Sequence, residues 1–313
     1  MRRHKLLFAL LFLLITAGVA LVVYRWIAPP PRAVRLLPES NFLLYANISP
    51  LHFFNLGALT SQTDPQYLDF VQQTGFHFEK DLNTFAVSQQ HPGNFDSDSA
   101  AVFTGHFDAA RLTNYLKKLS TGTEQYADKT IFSVPNITHT VRVCMVDGDT
   151  VAVTNTTSPD AIHTIIDKSR NSYLSKGPYL AEHYYHDIPF ASLAWAIVRV
   201  PEQREESQSL AGADLSFMRN STALVSVRYT GSIRLRAEIF SQSEADAAQV
   251  KQAADTFLAW GRAAGASLNP GGTDKDVKAV FDSIQVEQNG TRTVISVAIP
   301  RAFVEKMAAE MKH

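Results

Sequence analysis

Three stretches of the chain alternate apolar and polar side chains on both sides of a tight-turn signal, and they limit the fold more than any other feature. They are VRVCMVDGDTVAVTN at 141–155, ALVSVRYTGSIRLRAEIF at 223–240 and FDSIQVEQNGTRTVISVAI at 281–299. Alternation puts neighbouring side chains on opposite faces of a strand. The Asp147-Gly148, Gly231 and Asn289-Gly290 positions supply backbone that adopts positive φ in a short hairpin loop. Residues 82–88 and 100–106 form a looser fourth pair. A further strand, NFLLYANIS, carries Phe42, Leu44, Ala46 and Ile48 on one face.

A one-sided helical pattern follows each hairpin. Helix 109–119 follows Asp108 and aligns Leu112, Tyr115, Leu116 and Leu119; helix 158–168 opens at Ser158-Pro159. Helix 244–264 turns Val250, Ala254, Phe257 and Gly261 inward, and a C-terminal helix at 301–312 carries Phe303, Met307 and Met311. An additional helix, 65–74, starts at Asp64-Pro65, aligns Tyr67, Phe70 and Val71, and stops at Gly75. A capping side chain before proline starts a helix, and glycine beyond its last turn ends one. The expected class is therefore α+β: antiparallel sheets built from hairpin-then-helix units, after one N-terminal transmembrane helix. Element order alone suggests two related halves, 36–188 and 189–313, with the break running through NSYLSKGPYLAEHYYHDIP and a polar surface loop at 201–214.

The transmembrane helix is read from Leu6 to Tyr24, an uncharged run in which 13 of 19 residues are Leu, Ile, Phe or Val. As a helix it spans roughly 28 Å, close to the hydrocarbon thickness of a bilayer. Residues 1–5 form a basic tail with Arg2, Arg3 and Lys5, which places the N-terminus in the cytoplasm and the body outside, in the periplasm if bacterial. Arg25, Arg32 and Arg35 on the other flank reduce that asymmetry. The rival is a cleaved signal peptide with its site at Gly18-Val19-Ala20, although the apolar run continues to Val23. Residues 25–35, with Pro29-Pro30-Pro31, are expected to form a stiff spacer that lifts the body off the bilayer.

Formal net charge is −1, which gives no reason to expect a nucleic acid partner. The one cysteine, Cys144, excludes an intrachain disulfide and sulfur-rich metal sites, and its place in an alternating run marks it as a small core residue. No phosphate-cradling glycine loop, HExxH or Gly-x-Ser-x-Gly elbow is present. No cofactor and no metal site are expected.

Three local groupings carry side chains suited to chemistry. Glu182-His183-Tyr184-Tyr185-His186-Asp187 is the densest; on a helical turn His183 and His186 lie on one side, so His183, His186 and Asp187 are the candidate ligand contacts. The competing reading is a connection between the halves with half-buried tyrosines and exposed histidines. Arg228, Arg234 and Arg236 share the polar faces of one hairpin and suit an anionic lipid or glycan, or else form a solvated face partly paired with Glu238. In TGFHFEKDLNTFAVS, His77, Glu79 and Asp81 resemble a metal or acid–base set. The same stretch reads as a helix-to-strand joint: Phe76 and Phe78 fold onto the core, Asp81 turns the chain, and His77, Glu79 and Lys80 stay exposed.

The segments LLPESNFLLYANIS, FVQQTGFHFEKDLNTFAVS and AAVFTGHFDAARLTNYLKK resemble a family of uncharacterised bacterial proteins, over residues 36–120. The resemblance implies one N-terminal membrane segment, an extracytoplasmic α+β body and a place in the cell envelope. The function expected is that of a membrane-anchored, non-enzymatic binding or scaffolding protein with an envelope protein partner. The alternatives are a carrier of an apolar or lipid-like ligand between the halves, which requires a large apolar cavity, and an envelope hydrolase, which requires a convergent catalytic cluster.

Overall fold

The computed structural model describes residues 28–54, 64–92, 98–136, 139–171, 176–201, 218–268 and 275–301, together with residues 16 and 303. Residues 6–24 other than Thr16, the loop from 202 on, and Met307 and Met311 lie outside them. No helix among the described residues is long and apolar enough to cross a membrane, a statement that does not bear on β-barrels.

In chain order the elements are α1 (Arg32–Leu36), β1 (Phe42–Asn47), a 3-10 segment (Ser49–Phe54), α2 (Pro65–Thr74), a helical turn (Phe78–Asp81), β2 (Leu82–Gln89), β3 (Ser99–Gly105) and α3 (Ala109–Leu119). They continue with β4 (Gly122–Tyr126), β5 (Lys129–Pro135), β6 (Thr140–Asp147), β7 (Thr150–Thr154), α4 (Asp160–Arg170), α5 (Tyr179–Tyr184) and a 3-10 turn (Tyr185–Asp187). The remainder is β8 (Ser192–Val200), β9 (Ser221–Tyr229), β10 (Ile233–Phe240), α6 (Glu244–Leu268), α7 (Lys275–Asp282), β11 (Gln285–Asn289) and β12 (Arg292–Ile299).

The twelve strands of the described residues join one antiparallel sheet in the order β11-β12-β10-β9-β8-β1-β2-β3-β7-β6-β5-β4. Strands before residue 189 fill one side, later strands fill the other, and they meet where β1 pairs with β8. The expected hairpins are present, with two loops shifted by one residue: Asp147 pairs with Thr150 and Asn289 with Arg292, so the loops are Gly148-Asp149 and Gly290-Thr291. Helices α2 and α3 have the expected limits. Asp64 accepts from the amide of Gln66, Asp108 from those of Ala110 and Arg111, and Gly75 ends α2 at φ 74°.

The sheet has a front face, marked by Leu43 and Tyr45, and a back face, marked by Phe42 and Leu44. On the front, α1, α4 and α5 build the main core with Leu36, Leu43, Ile162, Ile166, Leu180, Ile197 and Leu224, each at most 1% exposed. Each such aliphatic side chain removed from water contributes about 1.5–3 kcal/mol. Strand β1 carries Phe42, Leu44 and Ala46 on one face as expected, and at the centre of the sheet it also buries Leu43 and Tyr45 on the other. Among the described residues, helices cover the back face at its ends. Leu112 and Leu116 of α3 pack on Phe132 and Val151, while Val250 of α6 packs on Ile239 and Val198.

The expected spacer at 25–35 also ends differently. Directly after Pro31 the chain turns into α1, whose Ala33, Val34 and Leu36 enter the front core. Arg32 pairs with Asp147 and Asp149, and Lys168 Nζ donates to the carbonyl of Leu37 at 2.7 Å. Residues 32–36 are therefore part of the body.

Candidate functional site

The front face holds a cavity of about 340 Å³ between the central strands and the turn that follows α5. Its floor is the register pair Tyr45 and Trp195, 8% and 3% exposed, with ring centroids 5.4 Å apart. Tyr185 stands 6.3 Å from Trp195 at 57°. The rim includes Asn47, Ser192, Phe190 and the segment Ala28, Pro29 and Pro31. Two local features shape it. A register shift between Ser192 and Ala194 marks a bulge in β8, and bulges re-aim side chains near sites. Ala191 sits at φ 59°, an uncommon conformation for alanine, and turns the chain into β8. Burial, followed by the neighbouring Tyr185, pushes the Tyr45 phenol up to about 12, so it stays protonated at neutral pH.

The candidate contacts His183, His186 and Asp187 lie in α5 and the following 3-10 turn; Tyr185 of that turn lines the cavity, whereas these three do not, and they separate in role. His183 is exposed, stacks on Tyr179 at 3.7 Å and places Nδ1 2.9 Å from the Tyr179 carbonyl oxygen. His186 is exposed and lies edge-on to Tyr185. Asp187 is committed elsewhere: it accepts from Arg292 Nη2 at 2.6 Å. Arg292 also donates to Glu238 at 2.9 Å, and Arg236 Nε donates to the other Glu238 oxygen at 2.7 Å. Glu238 is only 1% exposed, which corrects the expected solvated pair: this carboxylate is buried, and two guanidiniums hold it. Arg228 and Arg234 face each other across β9 and β10 and make no ion pair among the described residues.

At the helix-to-strand joint, Asp81 accepts from the amide of His77 at 2.7 Å and Glu79 accepts from the Tyr67 hydroxyl at 2.5 Å. The expected exposure of Glu79 is not found; its side chain is 10% exposed. Phe76 is buried and stacks on Phe107, whereas Phe78, expected in the core, lies against Phe70 and remains 40% exposed.

On the back face, one register row reads Val153, Ala101, Val87, Leu44, Ala196, Val225, Ala237 and Ile295 across eight strands. The next row carries Phe103, Phe85, Ala46, Ala194, Val227, Leu235 and Val297. Neither row contains a charged residue, and Val225 is 40% exposed. At one end of this face α2, α3 and the sheet enclose an all-apolar cavity of about 210 Å³ lined by Phe70, Phe76, Phe103 and Phe107 among others. Near the other end, α6 packs on β10, β11 and β12. Phe257, expected inward, is 68% exposed together with Trp260.

Cys144 is fully buried, and desolvation raises its thiol to about 11, so it is not a thiolate at neutral pH. Among the described residues, no three His, Cys, Asp or Glu side chains are grouped to hold a metal ion. Sequence reasoning missed Tyr45, Trp195 and Asn47. Their available signal was an aromatic ring set among small aliphatic residues in LLYAN and LAWAI.

No protein-family model matches the chain, and no curated protein matches it in sequence. In overall shape it is similar to crystal form III of TP0453, at 7% identity and a TM-score of 0.48, over 90% of this chain and 97% of that one. Crystal form IV of TP0453 gives 8% identity and a TM-score of 0.47, over 90% and 96% of the two chains.

Proposed function

We propose that this chain is a membrane-anchored, extracytoplasmic binding or scaffolding protein of the cell envelope, without catalytic chemistry, and that the uncovered centre of its back face is the binding surface. The observation that carries this reading is the pair of charge-free register rows around Leu44 and Val225. The exposed face of an antiparallel sheet ordinarily alternates to polar residues. Contiguous exposed apolar surface mostly marks a site of interaction. The Leu6–Tyr24 run supports the anchor, and the bacterial resemblance over 36–120 supports the envelope.

The two-halves reading belongs to the same proposal. In one half, β1-β2-β3 is followed by α3 and by four strands, β4 to β7, the last of which, β7, returns beside β3. In the other, β8-β9-β10 is followed by α6 and by a hairpin whose last strand, β12, returns beside β10.

A photo-crosslinking amino acid at Val225, in full-length protein in its native membrane, tests the surface. A discrete protein adduct supports the partner reading. The all-apolar cavity beside α2 and α3 favours a second reading, an apolar-ligand carrier, for which the adduct would be a lipid. No adduct at Val225, with efficient crosslinking at an unrelated exposed control position, sinks both.

A further inference from the structure

We propose that the Tyr45–Trp195 cavity and the neighbouring Arg228–Arg234 pair form one front-face site for a phosphate ester of a small polyol, such as a glycerol phosphate. The strand register puts the parts together. Ser192 at the cavity rim pairs with Arg228, and Arg228 pairs with Arg234. Ser192, Arg228 and Arg234 thus form a row on the side of the sheet that carries Trp195, with neighbours about 5 Å apart.

Like charges directly opposite one another destabilise a sheet. On the neighbouring part of this face the guanidiniums are compensated: Arg236 and Arg292 hold Glu238, and Arg292 also holds Asp187. Arg228 and Arg234 have no such carboxylate among the described residues. An anion between them removes the repulsion, and guanidiniums bind phosphate through paired N–H donors. The cavity beside them supplies aromatic walls with the amide of Asn47 and the hydroxyl of Ser192, a lining for a small polar body with apolar faces. The two arginines also argue against a quaternary ammonium, which an aromatic cavity alone would accept.

Such an ester is found free in solution and in the headgroup of an anionic phospholipid. The cavity rim begins at Ala28, four residues after Tyr24, so the rim lies at most about 14 Å along the chain from the end of the proposed anchor. That favours the headgroup, and this preference alone rests on the anchor reading.

The test is calorimetric titration of full-length protein in uncharged-detergent micelles with dihexanoyl phosphatidylglycerol, dihexanoyl phosphatidylcholine and glycerol 3-phosphate. Binding of phosphatidylglycerol, at least tenfold weaker in the Arg228→Gln/Arg234→Gln double variant and weakened in Phe190→Ala, is the expected result. Equal binding of glycerol 3-phosphate assigns the site to a soluble ester; binding of the lipid alone assigns it to a headgroup. Melting provides a second readout. Without ligand, Arg234→Gln raises the melting temperature because the repulsion is gone, and it also loses the ligand-induced rise. Phosphatidylcholine binding as tightly as phosphatidylglycerol, an unchanged affinity in the double variant, or no binding by any of the three overturns the proposal. None of these results bears on the back-face adduct at Val225, so the two proposals fail separately.

Discussion

Leu43 and Leu44 are consecutive and chemically identical, yet they sit in different surroundings. Leu43 is 0% exposed inside the core that α1, α4 and α5 build on the front of the sheet. Leu44 points to the back, is only partly buried, and belongs to a charge-free row that the described helices flank at its ends. One strand therefore buries one face fully in the core and leaves apolar surface on the other partly open. A sheet needs only one covered face to be stable, so the second can be used for recognition.

The comparison is most easily broken by paired truncations. Leu43→Ala leaves a cavity in a close-packed core and is expected to cost about 2–5 kcal/mol in thermal or denaturant unfolding. Leu44→Ala is expected to cost about 1 kcal/mol or less, because little of its surroundings is closed around it. Equal losses at the two positions would mean that the back face is as tightly covered as the front.

The second test loosens the cover at one end of the back face. Gly75 holds φ 74° where α2 stops, and an added Cβ would lie 2.5 Å from Arg111 Nη1. A β-branched residue in that conformation is strained by about 1–2 kcal/mol. Gly75→Val should therefore lower the melting temperature by several degrees, since about 1 kcal/mol moves a large domain by roughly 2–4 °C. A change under one degree would mean that α2 contributes little to holding the back-face cavity shut.

The third test concerns the same end and depends on pH. Burial opposes ionisation of Glu79, but the Tyr67 hydroxyl, its own backbone amide and His77 outweigh it, so its carboxyl titrates below the ordinary value of 4.5. The folded state then binds fewer protons than the unfolded state in mild acid. Stability from this contact is complete above pH 4.5 and is lost as pH falls through the lower folded value. Tyr67→Phe should remove about 1 kcal/mol at neutral pH and move the acid-unfolding midpoint to higher pH. A midpoint unchanged in Tyr67→Phe would show that the hydroxyl does not set the titration of Glu79.

What the sequence disclosed follows the same divide between local and long-range determinants. The limits of α2 and α3 were legible because Asp64-Pro65, Gly75 and Asp108 act within one helical turn. The hairpin β4–β5 was not: its loop uses Ala127 and Asp128 at φ 47° and 68°, without the Gly that marks such turns, and β4 is a polar edge strand. Helical periodicity aligned Phe257 with Val250, but it does not tell which turns of a helix find a covering neighbour, and Phe257 is 68% exposed where Val250 is 1%. The front cavity escaped because Tyr45, Tyr185 and Trp195 come together only when β1 pairs with β8, about 150 residues away. The candidates His183, His186 and Asp187 marked the right turn of chain, while the ring that reaches the cavity is Tyr185 between them.

The smallest expected effect is also the most direct test of the difference between the faces. Val225 is 40% exposed and shares its register row with Ala196 and Ala237, whose small side chains leave room around it. A carboxylate there can stay hydrated, so Val225→Asp should change the unfolding free energy by no more than about 0.5 kcal/mol, as exposed substitutions do. The corresponding change on the front, Leu224→Asp on the same strand, puts a carboxylate at a position that is 0% exposed and should prevent folding or cost several kcal/mol. Val225→Asp is nevertheless expected to abolish binding on the back face, since a charge in an apolar contact remains unpaired when water is excluded. Intact melting together with a lost protein or lipid adduct, read from a crosslinker at the neighbouring Val227, separates the two roles of the sheet. If Val225→Asp instead melts as early as Leu224→Asp, the back face is a second core, and the binding surface lies elsewhere on the molecule.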